Sequence, residues 1–288
     1  MFVVTGITGN VGSVVARTLL EQRLPVRAVV RHAVKGEAWA ERGCEVAVAD
    51  INDAIALAQA FKGAEGVFIL APPNFDPQPD FPEARAIAAT LKSALGTARP
   101  HSALYLSTIG AQAKQTNLLT QHTIIEEVLR ESSVPITFCR PGWFMENSSW
   151  EVAPARDGVI PSFLQPLDKP VPMVATEDIG KLAAELLQEK WEHHRVIELE
   201  GPKRLTPNEI AATFAELLGR FVKMEPVPRN TWETLFRSQG MRNPEPRIQM
   251  LDGFNQGWIE FESGEAGSRK GAVTLKTVLR GVIERSNP

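Results

Sequence analysis

The first 142 residues alternate short apolar runs with amphipathic helical patterns, and this alternation restricts the fold more than any other feature. The apolar runs are MFVVTG, PVRAVVR, GCEVAVAD, GVFILAPP, SALYLST and PITFCRPG. Strands that alternate with helices pair in parallel, and the helices cover both faces of the sheet. The alternation therefore predicts an α/β fold with a doubly wound parallel sheet of the Rossmann type.

The alternation stops at Gly142, and the rest of the chain is less regular. Prolines, glycines and aromatic residues follow without a clear period, before a helical pattern and the strand-like run RVIELEG. We predict a Rossmann domain over 1–142 plus about 171–200. A smaller C-terminal α/β cap domain is predicted over 143–170 and 201–288, so that the chain crosses between the two.

Two helices of the second half carry start signals. TEDIGKLAAELLQEK begins with Thr176, which we expect to be the N-cap residue. In TPNEIAATFAELLGR, Thr206 is expected at the N-cap, Pro207 at the first helical position and Glu209 two residues later. This spacing predicts a capping box, in which the threonine and glutamate side chains satisfy backbone amides reciprocally.

The composition excludes several classes of protein. The 288 residues are 43% hydrophobic with a net charge of −3, and no basic cluster suggests a nucleic-acid partner. No run reaches the roughly 18 apolar residues of a membrane span, and Met1 leads directly into a strand, so we expect no leader and a cytoplasmic location. Cys44 and Cys139 lie in apolar runs, where we expect buried thiols and no disulfide.

The turn TGITGNVG follows the first predicted strand and opens the first helix. Gly6 suits a tight turn, Gly9 leaves room for a pyrophosphate, and Gly12 allows close packing of the helix. Free amides at the helix N-terminus attract phosphates. A glycine-rich turn without a ligand is the alternative, but the position between strand and helix favours a nucleotide. The predicted contacts of this turn are Gly6, Thr8, Gly9, Asn10, Val11 and Gly12.

The residues after the second strand indicate which dinucleotide binds. NAD-binding folds place a carboxylate there for the ribose 2′-hydroxyl, but no acidic residue lies between Glu21 and Glu37. Arg31 and Lys35 stand there instead, and a guanidinium pairs well with a 2′-phosphate. We therefore predict NADP(H) in preference to NAD(H), with an ordinary exposed basic loop as the alternative. Adenosine contacts are predicted at Asp50, Ile51, Leu70, Ala71, Pro72 and Pro73.

Together, TGITGNVG, VVRHAVKG, LSTIGA and TFCRPGWFMEN resemble the NmrA-like family, an atypical branch of the short-chain dehydrogenase/reductase superfamily. The resemblance covers nearly the whole chain and is looser at MLDGFNQGWIEFE. It implies relatives that reduce quinones or triphenylmethane dyes with NADPH, and others that sense the cofactor without turnover. It also implies that Ser107, Pro141 and Gly142 lie beside the nicotinamide.

The superfamily's catalytic pair, a tyrosine with a lysine four residues later, is missing. The single tyrosine, Tyr105, lies within the fifth strand and is followed four residues later by Ile109. The next helix carries His122 and Glu126, an arrangement that several NmrA-like reductases share. The pKa of a histidine side chain is about 6.5, which suits proton transfer. Glu126 could orient the imidazole or favour its protonated form. The alternative is a histidine that only forms hydrogen bonds near nicotinamide. A metal half-site lacks a third ligand, so we predict no metal.

The aromatic residues after Gly142 suggest a substrate wall. We expect Trp143, Phe144, Met145 and Asn147 to face the cleft between the domains, with interdomain core as the alternative. The sequence predicts an NADPH-dependent reductase of a quinone-like or other conjugated molecule, with a small apolar or aromatic substrate. The alternative is a non-catalytic NADP(H) sensor acting through a regulatory protein partner. A sugar-nucleotide epimerase ranks below both because it needs the tyrosine and lysine. A homodimer is left open.

Overall fold

The computed structural model describes residues 1–286. A parallel sheet of eight strands, in the order β12-β10-β6-β5-β4-β1-β2-β3, forms its centre, and two parallel pairs, β11-β8 and β7-β9, lie outside it. The strands are β1 Phe2–Val4, β2 Val26–Val30, β3 Glu45–Val48, β4 Gly66–Ile69, β5 Ser102–Leu106, β6 Ile136–Pro141, β7 Trp143–Phe144, β8 Val159–Ser162, β9 Met173–Val174, β10 Arg195–Glu200, β11 Lys223–Pro226 and β12 Arg269–Lys270.

The helices connect these strands and build most of the second half. They are α1 Asn10–Glu21, α2 Glu37–Ala40, α3 Ala54–Phe61, α4 Pro82–Ala98, α5 Thr120–Leu129, α6 Val152–Asp157, α7 Thr176–Gln188, α8 Pro207–Leu218, α9 Trp232–Ser238, α10 Glu245–Gln256, α11 Gly264–Gly267 and α12 Leu275–Arg285. Short 3-10 helices cover Ala33–Gly36, Met145–Glu151 and Arg229–Thr231. Within residues 1–286, no helix is both long and apolar enough to cross a membrane.

The strand order confirms the predicted doubly wound Rossmann sheet. The six runs of the first half are β1–β6, and RVIELEG is β10, which pairs in parallel with β6. The order reverses at β1, which pairs with β2 on one side and β4 on the other. In such sheets ligands bind at the carboxyl ends of the strands beside this reversal.

Three large apolar cores hold the described part of the molecule together, and a small fourth cluster joins Phe81, Ala84 and Ile124. One face of the sheet packs against α1 and α7 through residues such as Val15 and Leu186, and the other packs against α3, α4 and α5 through residues such as Phe61 and Leu91. The third core lies among the elements after Gly142, around the fully buried Trp232. The division into two domains, with its boundaries, stays a prediction.

The predicted helix starts differ in outcome. Thr206 and Glu209 form the expected capping box. The expected N-cap at Thr176 is wrong: Ala175 is the N-cap residue, and Thr176 is already helical. The carboxylate of Glu146 accepts hydrogen bonds from the Thr176 amide and hydroxyl. A side chain 30 residues upstream therefore satisfies this helix end, which a local signal could not reveal.

Both cysteines follow the sequence prediction, because Cys44 and Cys139 are buried and free. The short strand β12, Arg269–Lys270, was not among the strands predicted from the sequence. It extends the sheet by pairing with the end of β10.

Candidate cofactor and substrate site

The glycine turn leaves the start of α1 open. Gly6 has a φ of +60°, a backbone conformation that favours glycine. Gly9 is the N-cap residue of α1, so no side chain caps the helix, and its first turn contains no acidic residue. The amides of that turn and the positive end of the helix dipole are thus available to an anion.

The turn fits closely against its surroundings. A Cβ at Gly12 would overlap the carbonyl oxygen of Gly6, so this glycine lets the helix approach the turn rather than the strand itself. The Thr5 hydroxyl accepts a hydrogen bond of 2.9 Å from the Leu70 amide, which joins the ends of β1 and β4. Leu70, a predicted adenosine contact, therefore lies directly beside Gly6. Thr8 and Asn10 are exposed at the same turn, and Val11 is buried.

The basic residues predicted to bind the 2′-phosphate follow β2. Arg31 and Lys35 are both exposed, and neither takes part in an ion pair with the other described residues. Arg27, within β2, is instead paired with Glu45 at 2.8 Å. The two basic side chains after the strand are therefore available to a phosphate, whereas the one inside it is not.

The remaining predicted adenosine contacts lie at the ends of β3 and β4. Asp50 is exposed, and one of its carboxylate oxygens accepts hydrogen bonds from the Asn52 amide and side chain, both of 2.9 Å. Part of its acceptor capacity is thus used within its own turn. Half-buried positions are Ile51 and Ala71, and exposed positions are Pro72 and Pro73.

A cavity of about 760 Å³ opens between the carboxyl ends of β5 and β6 and the elements that follow Gly142. Most of its walls are apolar. They include Thr108, Ile109, Leu118, Gly142, Trp143, Phe144, Asn147, Met173, Ile210, Met250, Leu251 and Phe254. Cavities of this size and character hold small organic molecules.

The cavity includes most of the predicted substrate wall. Trp143, Phe144 and Asn147 line it, but Met145 does not, because its side chain is buried in the third core. Trp143 also packs edge-on against Phe254, with ring centroids 5.3 Å apart. The two interpretations of these aromatic residues are therefore compatible, since they both pack against the cores and line the cavity.

Gly142 begins this wall and tolerates no side chain. A Cβ there would lie 2.6 Å from the carbonyl oxygen of Pro172. Its amide donates to the Leu199 carbonyl at 2.8 Å, and Pro141 is buried at the end of β6. The turn predicted to lie against the nicotinamide is thus held rigidly from two sides.

His122 lies beside Tyr105 and does not line the cavity. Its Nδ1 is 2.8 Å from the Tyr105 hydroxyl, which is fully buried in β5. Burial lowers the pKa of His122 to about 4, although the charge of Glu126 favours protonation. Burial also raises the pKa of Tyr105 well above its usual value. Both groups are therefore neutral near neutral pH, which suits a structural hydrogen bond.

Glu126 is engaged with partners other than His122. Its carboxylate accepts from Ser107 at 2.5 Å and from two nitrogens of Arg140 at 2.9 and 2.6 Å, while Arg130 approaches to 3.2 Å. Burial alone would raise the pKa of Glu126, but Arg140 and Ser107 hold it below its usual value. Ser107 donates its hydroxyl proton to this carboxylate, so that proton is not available to a ligand.

A family model described as the NmrA-like family matches residues 1–259. The chain belongs to the NmrA-like family. The resemblance of its motifs to this family is thereby confirmed.

Named relatives are similar to most of the chain, and a solved structure shares its fold. The chain is 29% identical over 226 residues to an NAD(P)H azoreductase of Xenophilus azovorans, covering 77% of this chain and 76% of the relative. It is 25% identical over 254 residues to quinone oxidoreductase 2 of Escherichia coli strain K12, covering 87% and 85%. A Citrobacter triphenylmethane reductase, solved as a complex with NADP(H), superimposes with a TM-score of 0.81 at 22% identity, covering 98% and 100%.

Three residues of the site escaped sequence analysis. Arg140 interrupts the apolar run TFCRPG, and a charge inside a buried strand was a usable signal for a buried partner. Glu151 and Arg247 line the cavity but carry no local pattern. Among the described cavity residues they are the titratable ones, so they are the charges that a bound molecule would meet.

Proposed function

We propose that this NmrA-like protein is an NADPH-dependent reductase of a quinone-like or other conjugated small molecule. The observation that carries the proposal is the apolar cavity of about 760 Å³, which begins at the Gly142 turn. In a Rossmann fold, the carboxyl edge of the sheet is where the nicotinamide end of a dinucleotide reaches. A flat acceptor in this cavity would therefore lie beside it.

The cofactor preference rests on the two ends of the adenosine site. The uncapped α1 N-terminus suits the pyrophosphate, and the unpaired Arg31 and Lys35 suit the additional phosphate of NADP(H). The Citrobacter triphenylmethane reductase with the same fold was solved with NADP(H). The curated relatives include an NAD(P)H azoreductase, so reduction of a conjugated acceptor is the activity we carry over.

The proposed reduction needs little chemical assistance from protein side chains. The reduced nicotinamide, when bound, supplies a hydride, and a conjugated acceptor stabilises the negative charge that the hydride brings. Trp143 and Phe144 would hold the flat acceptor and exclude water, while the Gly142 turn fixes the geometry. The absence of a tyrosine–lysine pair among the described cavity residues is compatible with such a reaction. Proton transfer by His122 stays a prediction, and its hydrogen bond to Tyr105 argues against it.

The test is reduction of a panel of quinones and enals by purified protein with NADPH. We expect at least one acceptor to be reduced well above background. Asn147→Trp, which intrudes into the cavity, should lower kcat/KM about ten-fold or more, because overpacking a filled site costs about 1–3 kcal/mol. Ser149→Trp, two residues away at an exposed position, is the matched control. Equal losses in both variants, or no turnover at all, would argue against the proposal.

A second candidate is a non-catalytic NADP(H) sensor. It is favoured by the environment of His122, which is neutral and lies outside the cavity lining. A sensor must differ in structure or partner binding between NADP⁺ and NADPH, because a ligand with equal effects on both states shifts nothing. Hydrogen exchange of the protein loaded with each form tests this: equal exchange would exclude the sensor.

A further inference from the structure

Arg247 is a cationic side chain that faces the cavity without a counter-ion. It lies in α10, and its guanidinium stacks over the Phe236 ring at 4.4 Å from the centroid. Its guanidinium donates a weak hydrogen bond of 3.7 Å from Nη1 to the Met241 sulfur. Among the described residues, no carboxylate approaches it within ion-pair distance.

The neighbouring arginines are compensated in a way that Arg247 is not. Arg229 pairs with Asp252 at 2.6 Å, and Arg237 pairs with Glu233 at 3.0 Å. Burial lowers the pKa of Arg247, but a guanidinium remains charged in proteins. A partly buried charge without a partner costs free energy. An anionic ligand that paired with the guanidinium would offset this cost.

Glu151 does not neutralise Arg247. The Glu151 carboxyl also lines the cavity, yet its Oε2 is buried without a hydrogen-bond partner, and no ion pair joins it to Arg247. Burial raises the pKa of the Glu151 carboxyl, and a hydrogen bond from Ser148 partly opposes this rise. Among the described cavity residues, Arg247 is therefore a positive charge that no carboxylate neutralises by direct contact.

We propose that the cavity binds a conjugated acceptor carrying an anionic group, a carboxylate, sulfonate or phosphate, and that Arg247 holds this group. Arg247 is then a specificity-determining residue, and the apolar walls at Trp143 and Phe254 take the rings. The guanidinium is preorganised by its stacking on Phe236, so little side-chain freedom is lost on binding. The substrate class rests on the proposed reductase function, but the binding preference can be measured without turnover.

The experiment compares a neutral naphthoquinone with its sulfonated analogue. Dissociation constants are measured by quenching of tryptophan fluorescence in protein saturated with NADP⁺, where no reduction occurs. We expect the sulfonate to bind about ten-fold to hundred-fold more tightly, the range of one charge-assisted hydrogen-bonding group. Arg247→Met should abolish that preference, and Arg247→Lys should restore part of it.

Arg220→Met is the matched control, because it removes one exposed positive charge from the same half of the chain. It should leave the preference intact. Equal affinities for the two quinones, or a preference that survives Arg247→Met in a variant with unchanged melting temperature, would overturn the inference. Tighter binding of a cationic dye than of the sulfonate would overturn it too, and would point to Glu151. If binding follows Arg247 but no quinone is reduced with NADPH, only the reductase proposal fails.

Discussion

The two halves of the sheet's carboxyl edge differ in whether their charged groups are paired within the protein. Around β1 and β2, the start of α1 is uncapped and Arg31 and Lys35 remain unpaired. Around β5, β6 and β10, buried charges are matched within the protein: Glu126 binds Arg140, and Glu200 accepts from arginine and lysine side chains. The first half is open to an outside anion, whereas the second is already neutralised.

The difference follows from burial. An exposed basic side chain is hydrated by solvent, so it can remain unpaired at little cost until a ligand binds. A buried carboxylate or guanidinium must be compensated when the protein folds. Arg247 is an informative exception among the described residues, because it is partly buried and yet no carboxylate lies within ion-pair distance of it. The following predictions test this division, beginning with the largest expected effect.

Replacing Arg140 should strongly destabilise the protein. Arg140→Met leaves Glu126 buried without its main partner, and both side chains are 3% exposed in the native structure. We expect a loss of about 3 kcal/mol or more in the free energy of unfolding, measured by urea denaturation. Lys181→Met, which breaks a surface pair with Glu177, should cost less than about 1 kcal/mol.

The double variant Arg140→Met/Glu126→Leu sharpens this result. Because both charges are then removed together, much of the lost stability should return. A single variant as stable as the wild type would show that the second half does not depend on internal charge compensation.

His122 should make stability depend on pH in acid. Its folded-state pKa of about 4 lies below the unfolded value of 6.5, so between these values the unfolded chain binds a proton that the folded protein does not. The contribution of His122 to the free energy of unfolding is therefore complete above pH 6.5. It falls as the pH is lowered toward 4, by up to about 3 kcal/mol. Urea unfolding across this window measures it.

Two variants distinguish the contribution of the His122 imidazole to the pH dependence from that of its neighbours. His122→Gln should flatten the part of the pH dependence that belongs to this residue. Tyr105→Phe should retain it, because burial rather than the tyrosine hydroxyl is the main cause of the lowered pKa. A wild-type curve identical to that of His122→Gln would place the imidazole in contact with water.

Arg31 should select NADPH over NADH. Arg31→Met removes the guanidinium expected at the 2′-phosphate, and we expect NADPH to bind about ten-fold more weakly while NADH binding is unchanged. Titration of intrinsic fluorescence gives both affinities. Arg17→Met, an exposed arginine on α1, controls for the loss of one positive charge. If both variants weaken NADPH equally, Arg31 contributes only general attraction.

The amino-acid sequence by itself determined the framework. Alternating apolar and helical periods defined the parallel sheet, and the spacing of Gly6, Gly9 and Gly12 located the open helix start. The capping box at Thr206 was equally readable. These features are local: turn conformation, helix capping and side-chain periodicity depend on residues a few positions apart, so the sequence displays them directly.

Only the tertiary structure decided which charges meet. In the folded chain, Glu126 pairs with Arg140 rather than with His122, and Glu146 lies at the start of α7. Arg247 lies in the cavity wall without a carboxylate partner. Such pairings join segments distant in sequence, and burial decides whether each charge needs a partner. Because neither distance nor burial between separate elements is written in a local pattern, the chemistry of the cavity became visible only in the folded chain.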